Sequence, residues 1–360
     1  MGQPGPESTP SPVAAAPDTE RQAIERARRS ETVYRRLSLV LVLCLAAVVV
    51  FFSRTLVPWA TAGIEGAVQD FFTLSISVVI ESLPFVFLGI LVSILVQVWL
   101  PPDVLFRWLP ARPVLRRMVL SLLGMLMPVC ECGNVPMARG LMLKGLNVGE
   151  SMTFLFAAPI LNPVTIITTQ QAFGWDNGIL FWRIAGGFLI ANLIGWIYSR
   201  HREPHRLLTA RFEAACTTDG PRQQTHGKLR QSVDLFQRET NTMMPALFIG
   251  AGLAGIIQVG VPRNVLVTLG SDPWWSVLAL MLLAFVVSIC STVDAFFILS
   301  FGATFLPGAI VAFLVLGPMI DVKMLALLRT TFTGRTLVQL TAIIALCAAV
   351  LGWGVNLAAA

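Results

Sequence analysis

The segment from Pro128 to Pro136 contains residues that can do chemistry inside an otherwise apolar region. Cys130 and Cys132 supply two thiols, and Glu131 supplies a carboxylate between them. Thiolates suit soft cargo such as zinc, copper(I) or a trivalent metalloid, while a carboxylate inside a membrane tends to mark a pathway. C-x-C alone lacks the second ligand pair of a closed structural zinc site. We therefore interpret the two cysteines as candidate metal ligands that line a substrate path, with small buried packing residues as the alternative.

Prolines divide the apolar segments at and around such polar residues. A proline interrupts a helix, and broken backbone inside a membrane must be satisfied by protein or by a water-filled cavity. Asn162 lies between Pro159 and Pro163, and Asp321 follows Pro318. This pattern predicts polar helix breaks that line a site, with a proline kink and a polar cap as the alternative. The predicted helix-break residues are Pro128, Pro136, Pro159, Pro163 and Pro318.

The second half of the chain repeats the spacing of the first. Matching prolines, glycines and glutamines recur at one offset, and the cysteine and asparagine motifs follow with small slips. Such internal duplication is a hallmark of transporter folds, whereas chance similarity between apolar helices is the alternative. The paired positions include Pro84 with Pro245, Gly89 with Gly250, Cys130 with Cys290, Asn134 with Asp294, and Asn162 with Asp321.

These motifs together predict one polar site. We expect Glu131, Asn162, Asp294 and Asp321 to meet around a cavity near the membrane midplane, where the repeats of a carrier face each other. Carboxylates that close cannot all stay charged, so at least one would exchange a proton. The predicted substrate-binding residues are Cys130, Glu131, Cys132, Asn134, Asn162, Cys290, Thr292, Asp294 and Asp321.

Three further charges lie in or near apolar segments. Glu81 precedes Pro84 by one helical turn and can line the path. Arg183 lies near a span end and is expected to be a snorkelling anchor. Lys323 is expected at or near the cytoplasmic end of its segment. The alternative for Asp294 and Lys323 is that they simply pair with other groups in the bundle.

The composition indicates a membrane protein. Hydrophobic residues make up 55% of the chain and charged residues 13%, against about 25% charged in ordinary soluble domains. The mean hydropathy is +0.74. The net charge of +6 comes from basic residues in loops and does not indicate nucleic-acid binding. Six cysteines show no disulfide framework, so reduced thiols are expected.

The distribution of lysine and arginine predicts the topology, because cytoplasmic loops carry an excess of both. The predicted fold is an all-α polytopic membrane protein with two inverted repeats, broken or re-entrant helices and one extra N-terminal span. The sequence leaves open whether segments 118–145 and 276–306 are re-entrant or fully spanning. The N-terminus is expected in the cytoplasm, with 170–177 and Ala360 outside. The predicted regions are a disordered basic tail (1–36), a first span (37–58), repeat 1 (66–199), a basic cytoplasmic loop (200–238) and repeat 2 (239–356).

At these motifs the chain resembles the predicted permease family that includes the organoarsenical efflux permeases, the ArsP-like proteins. The resemblance covers about residues 66 to 356 and rests on Pro128 to Pro136, Arg139-Gly140, Ala157 to Pro163, Cys290 and Gly317 to Asp321. It implies export of trivalent organoarsenicals through membrane-embedded cysteine, which makes Cys130 and Cys132 the candidates. The Cys-Glu-Cys form with Asn162-Pro163 is closer to an uncharacterised branch that is often presumed to handle metals.

The predicted function is that of a permease, not an enzyme. It would move a small thiophilic or cationic solute, a metal ion or metalloid species, across the cytoplasmic membrane as a secondary transporter or efflux permease. No Walker-type loop is present, and no cofactor or nucleic acid is expected. The expected partners are the solute and the lipid bilayer, with a homo-oligomer or an accessory protein left open. The alternatives are a thiol oxidoreductase using Cys130 and Cys132, although that class usually prefers C-x-x-C, and a subunit of a larger membrane complex.

Overall fold

The computed structural model describes residues 62–100, 107, 109–126, 130–175, 177–218, 227–260, 274–300 and 305–359. The chain divides into two compact units, Met1–Gly66 and Ala67–Ala360, and the second holds every element discussed below except the start of the first helix. The predicted tail (1–36), the predicted first span (37–58) and Pro128 lie outside the described residues.

The first half consists of helices joined by short turns. Asn147 caps α4 by accepting from Gly149 N at 3.0 Å, and Asn162 caps α5 by accepting from Val164 N at 2.9 Å. Pro113 and Pro163 stand in the first turn of their helices, where a missing amide proton costs nothing. The helices are α1 (Ala62–Ile94), with a π-helical extension Leu95–Trp99, α2 (Pro113–Leu123), with a 3-10 turn Gly124–Leu126, α3 (Glu131–Leu143), α4 (Val148–Leu161), α5 (Pro163–Phe173) and α6 (Ile179–Ser199).

The second half has corresponding helices in the same order. It follows a linker with a 3-10 turn, Pro204–Leu207, and α7 (Ala210–Thr218). Its first helix, like α1, has 33 residues and contains an internal proline. The helices are α8 (Lys228–Gly260), α9 (Trp275–Val287), α10 (Asp294–Leu299), α11 (Pro307–Met319), α12 (Val322–Leu328) and α13 (Gly334–Ala359).

The described residues contain no β-strand, and six of their helical segments are long and apolar enough to cross a membrane. Two of these segments are interrupted, because α4 with α5 forms one and α11 with α12 forms another. The predicted all-α polytopic membrane fold is confirmed. The interruptions lie at Asn162 and Asp321, where a polar break was expected.

Several predicted helix-break prolines lie inside helices. Pro159 and Pro318 belong to the last turns of α4 and α11, so the chain breaks just after them. For Pro136 the prediction is wrong, because α3 continues through it. A proline removes only one helical hydrogen bond. Packing encloses α3 on nearly all sides and keeps the helix intact. Ser93 Oγ of α1 also donates to the Pro136 carbonyl at 2.8 Å.

Contacts define how the short helices α2 and α3 lie against α4. Arg116, near the start of α2, reaches Glu150 in the first turn of α4 at 3.4 Å. Gly124, just after α2, packs against Ala158 near the end of α4, so α2 and α4 run in the same direction. The chain then leads from the end of α3 into α4 through a short turn. Both ends of the α2–α3 pair therefore lie beside the beginning of α4.

The last long helices of the two halves, α6 and α13, run in opposite directions. Gly186 in the first half of α6 packs against Leu351 in the second half of α13. Beyond the other end of α6, Thr333 N donates to Leu207 O at 3.0 Å, immediately before α13 begins. The end of α6 therefore lies near the start of α13.

Candidate functional site

The thiol–carboxylate cluster, which we define as Cys130, Glu131 and Cys132, lies at the first turn of α3. Each residue offers one sulfur or oxygen atom as a possible metal ligand, and these three atoms lie within 4.8 Å of one another. All three residues are buried. The positive end of the helix dipole favours negative groups at this position. Close packing brings α1 against the same turn, because a Cβ on Gly89 would collide with the Gly133 backbone. Cys132 Sγ also approaches Ser82 Oγ of α1 at 3.7 Å.

The second half supplies hydrogen-bond donors to the Glu131 carboxylate. Ser291 donates to Oε2 from its backbone N at 3.4 Å and from its hydroxyl at 3.2 Å. Cys290 Sγ approaches the same oxygen at 3.8 Å. Thr292 Oγ1 donates to Cys290 Sγ at 3.5 Å. The predicted pairing of the two cysteine motifs is therefore a spatial one as well, and a third thiol reaches the cluster.

Lys323 of α12 holds the other oxygen of Glu131. Its Nζ lies 3.3 Å from Glu131 Oε1, and both side chains are 1% exposed. The ammonium also donates to Ser288 O at 3.5 Å. Ser288 has a φ of 52°, which turns the chain sharply after α9. The sequence placed Lys323 at or near the cytoplasmic end of its segment, but the structure brings it to the cluster. The sequence signal was a charge inside an apolar segment, two residues after Asp321.

A second buried ion pair joins Arg183 of α6 to Asp294 at the start of α10. Arg183 donates to both carboxylate oxygens, at 2.6 and 3.0 Å, and to Thr169 Oγ1 at 2.7 Å. It also reaches Ser291 O at 3.5 Å. The interpretation of Arg183 as a snorkelling anchor is wrong, because its side chain is 1% exposed. A guanidinium can be buried when a carboxylate takes both of its N–H arms.

The remaining predicted residues have different roles. Asn162 and Asp321 are helix caps, and Asp321 accepts from Met324 N. Asp294 and Asp321 both lie close enough to Glu131 to interact with it electrostatically. Asn134 is fully buried, and neither atom of its amide has a hydrogen-bond partner among the described residues. An unsatisfied buried amide is costly, so this group is available to a solute or to ordered water.

The site contains buried cations as well as the buried carboxylates from which proton exchange was predicted. Glu131, Asp294 and Asp321 are buried, but Lys323 and Arg183 are buried beside them. These two cations offset the repulsion that would otherwise force a carboxylate to hold a proton. The like-charge argument for proton exchange therefore omitted two counter-charges. Sequence reasoning weighed the pairing of Asp294 and Lys323 only as an alternative, and the structure pairs both.

A third buried ion pair lies toward the other end of α3, at Arg139. Arg139 donates to Glu239 of α8 at 3.1 Å and to Thr331 Oγ1 at 3.0 Å. Its guanidinium lies 4.3 Å from the centre of the Phe212 ring of α7. This junction connects α3, α8, the turn after α12 and the linker. Sequence reasoning did not give Arg139 a role beyond its place in a motif.

Comparison with known proteins gives a consistent family. A family model described as "Predicted permease" matches residues 67–357. The UPF0718 protein YcgR of Bacillus subtilis is 34% identical over 262 residues, which cover 72% of this chain and 88% of that protein. A protein of Streptococcus mutans named "Putative two-component membrane permease complex subunit" is 32% identical over 268 residues, covering 73% and 87%. No solved structure matches the chain.

Proposed function

The chain belongs to the predicted permease family, and on that premise we propose that it carries a small thiophilic or cationic solute, a metal ion or a metalloid species, across the cytoplasmic membrane. One observation carries this proposal. The ligand atoms of Cys130, Glu131 and Cys132 lie within 4.8 Å of one another in the interior of a multi-pass membrane protein. Intramembrane polar groups are costly and tend to mark transport pathways.

The donor set defines the class of solute. Two thiols, with Cys290 beside them, favour soft species such as zinc, copper(I) or a trivalent metalloid. Glu131 adds a hard, negatively charged oxygen, which favours a cation over a neutral solute. Because all these residues are buried, the solute has to enter and leave through rearrangement of the surrounding helices. That is the requirement of an alternating-access carrier.

The direction of corresponding helices supports an inverted-repeat architecture. The helices α6 and α13 occupy equivalent places in the two halves and run in opposite directions. The α2–α3 pair begins and ends beside the start of α4, as a re-entrant pair would. With α1, the α4–α5 segment and α6 as spans, each half crosses an odd number of times and the halves are inverted. In this topology the 200–238 loop and the N-terminus lie in the cytoplasm.

Cysteine substitutions test the proposal directly. Cys130→Ser and Cys132→Ser should abolish transport of a soft cargo while expression stays nearly unchanged, because serine keeps size and hydrogen bonding but loses thiolate affinity. The measurement is zinc, copper and arsenite sensitivity of a deletion strain that carries each variant, together with cellular metal content. The matched control is Cys347→Ser, at a half-buried position of α13, and this variant should transport as the wild type does. Full transport by both site variants would make these thiols packing residues.

A subunit of a larger permease complex is the second candidate. The observation that favours it is the name of the Streptococcus mutans relative, which describes a subunit of a two-component complex. In that case a separate protein would complete the pathway. Zinc uptake by liposomes that contain only the purified chain distinguishes the two candidate functions. Accumulation of zinc without a second protein shows that the chain is a complete carrier.

A further inference from the structure

Lys323 occupies the place beside Glu131 where a cationic cargo would bind. The ammonium lies 3.3 Å from Glu131 Oε1, and neither side chain is accessible to solvent beyond 1%. The same carboxylate belongs to the thiol–carboxylate cluster, whose ligand atoms lie within 4.8 Å of one another. A metal ion on these ligands and the ammonium of Lys323 would place two cations on one buried carboxylate. Charges that close in a low-dielectric interior repel strongly, so the two cations compete.

A displaced ammonium has an anionic acceptor nearby. Asp321 lies two residues before Lys323 and interacts with it electrostatically. Its Oδ1 caps α12, and its buried Oδ2 has the Ser288 hydroxyl as its neighbouring donor. The buried Ser288 residue thus faces both groups, because its carbonyl already accepts from Lys323 at 3.5 Å. Among the described residues this carboxylate has no ion-pair partner within 4 Å, so the structure contains a buried negative group in the lysine's own segment that a displaced ammonium can approach.

The lysine is found in one half only. The offset that pairs Asn162 with Asp321 pairs Lys323 with Val164, an apolar residue that is partly exposed. The Glu131–Lys323 pair also connects the halves, because Glu131 begins α3 and Lys323 lies in α12. Breaking this pair on cargo binding would remove one bond between the halves at the site itself.

We propose that Lys323 is a built-in counter-cation that neutralises Glu131 in the empty protein and is displaced toward Asp321 by a cationic cargo. This inference rests on the proposed function and names the charge of the cargo. The empty carrier keeps its buried carboxylate paired, so it can rearrange without an uncompensated charge. A neutral thiophile that binds only the thiols leaves the Glu131–Lys323 pair intact. Lys323 thus sets how tightly a cation binds relative to a neutral thiophile, whereas the cysteines select soft solutes over hard ones.

The test compares two probes on the purified full-length chain in detergent. Zn²⁺ is the cationic probe, and phenylarsine oxide is a neutral thiol-binding probe; both affinities are measured by calorimetry. Lys323→Met should bind Zn²⁺ about tenfold or more tightly than the wild type, because the competing charge is gone. Its affinity for phenylarsine oxide should be unchanged. Lys323→Arg keeps the charge and should show no gain. Lys144→Met, at the far end of α3, is the control for loss of a lysine elsewhere.

A second variant tests the acceptor and does not depend on the stability of Lys323→Met. Asp321→Asn keeps a helix-capping side chain, as Asn162 does at the corresponding position, so the variant is expected to fold. Without the acceptor charge, Zn²⁺ affinity should fall about tenfold, and phenylarsine oxide affinity should not change. In a Lys323→Met background the Asp321→Asn substitution should lower Zn²⁺ affinity less than it does in the wild type, since only the direct attraction between Asp321 and the metal remains and no ammonium has to be received.

Defined outcomes overturn the inference. Equal or weaker Zn²⁺ binding by folded Lys323→Met would show that Lys323 does not compete with the cation. Wild-type Zn²⁺ binding by Asp321→Asn would show that Asp321 does not receive the ammonium. A gain for both probes in Lys323→Met would show that the side chain obstructs the site without acting through charge. If the wild type binds Zn²⁺ and these variants match it, only this inference fails. If neither the wild type nor any variant binds either probe, the proposed thiophilic cargo fails as well.

Discussion

Two buried ion pairs at the centre of the molecule each join one half of the chain to the other. Glu131 is paired with Lys323, and Asp294 with Arg183. A buried pair costs desolvation of both ions, and removal of one partner costs more because it leaves the other charge uncompensated. Substitution of one member of a pair therefore destabilises the protein through its partner, whose buried charge is left uncompensated.

Asp294→Asn is expected to destabilise the protein by about 3–5 kcal/mol, because the buried Arg183 loses its counter-charge. The measurement is thermal or denaturant unfolding of the purified protein in detergent. Glu203→Gln removes one partner of the exposed pair with Arg206 and is the control, with an expected change below about 1 kcal/mol. Similar stability losses in the two variants would contradict a buried, structurally important Arg183–Asp294 pair.

At the scale of helices, short elements bring the polar groups to one place. Helix α3 begins at the cluster and ends at the turn into α4, and Arg139 lies between these points. There it contacts Glu239 of α8, the turn after α12 and Phe212 of α7. The linker is attached to the same turn by a hydrogen bond of 2.8 Å from Thr209 N to Thr331 O. The Arg139 guanidinium of α3 therefore joins α8, the turn after α12 and the linker helix α7.

Glu239→Gln is expected to loosen this junction, because Arg139 keeps its charge and loses its carboxylate. The rate of modification of Cys130 and Cys132 by N-ethylmaleimide should rise severalfold, measured site by site by mass spectrometry. Glu150→Gln is the matched control, since it breaks a partly buried arginine–glutamate pair that joins α2 and α4 within the first half. Equal labelling rates in the two variants would show that the Arg139 junction does not restrict access to the thiols.

For the whole molecule, α6 is long and apolar enough to cross a membrane. The proposed topology therefore puts the linker and the loop after α5 on opposite sides of the membrane. Arginine and lysine are concentrated in the linker, which favours its cytoplasmic location.

Single cysteines introduced into a chain whose own cysteines are replaced by serine test this topology. Asn177→Cys, after α5, should react with an impermeant maleimide in intact cells, and Arg222→Cys, in the basic loop, should react only after permeabilisation. The labelling is measured on gels with and without detergent. Reaction of Arg222→Cys in intact cells would defeat the inverted-repeat topology.

The class of fold and the location of the polar segments follow from the sequence alone. Hydropathy is a local property of the chain, so apolar runs identify the membrane segments without knowledge of their neighbours. Helix caps are also local, and this is why the breaks at Asn162 and Asp321 were predictable from residue type and a nearby proline. The cluster at Cys130 to Cys132 needed no long-range information either, because its ligands lie within three consecutive residues.

The partners of these residues were decided by tertiary structure only. Glu131 and Lys323 are separated by 192 positions, and Arg183 and Asp294 by 111. In an apolar sequence, no local pattern indicates which of several buried charges will meet. Pro136 shows the same limit, since packing around α3 preserves a helix that local chemistry predicts to break. Pairing of buried charges depends on which helix faces meet, and those faces are set by close packing between segments far apart in the chain.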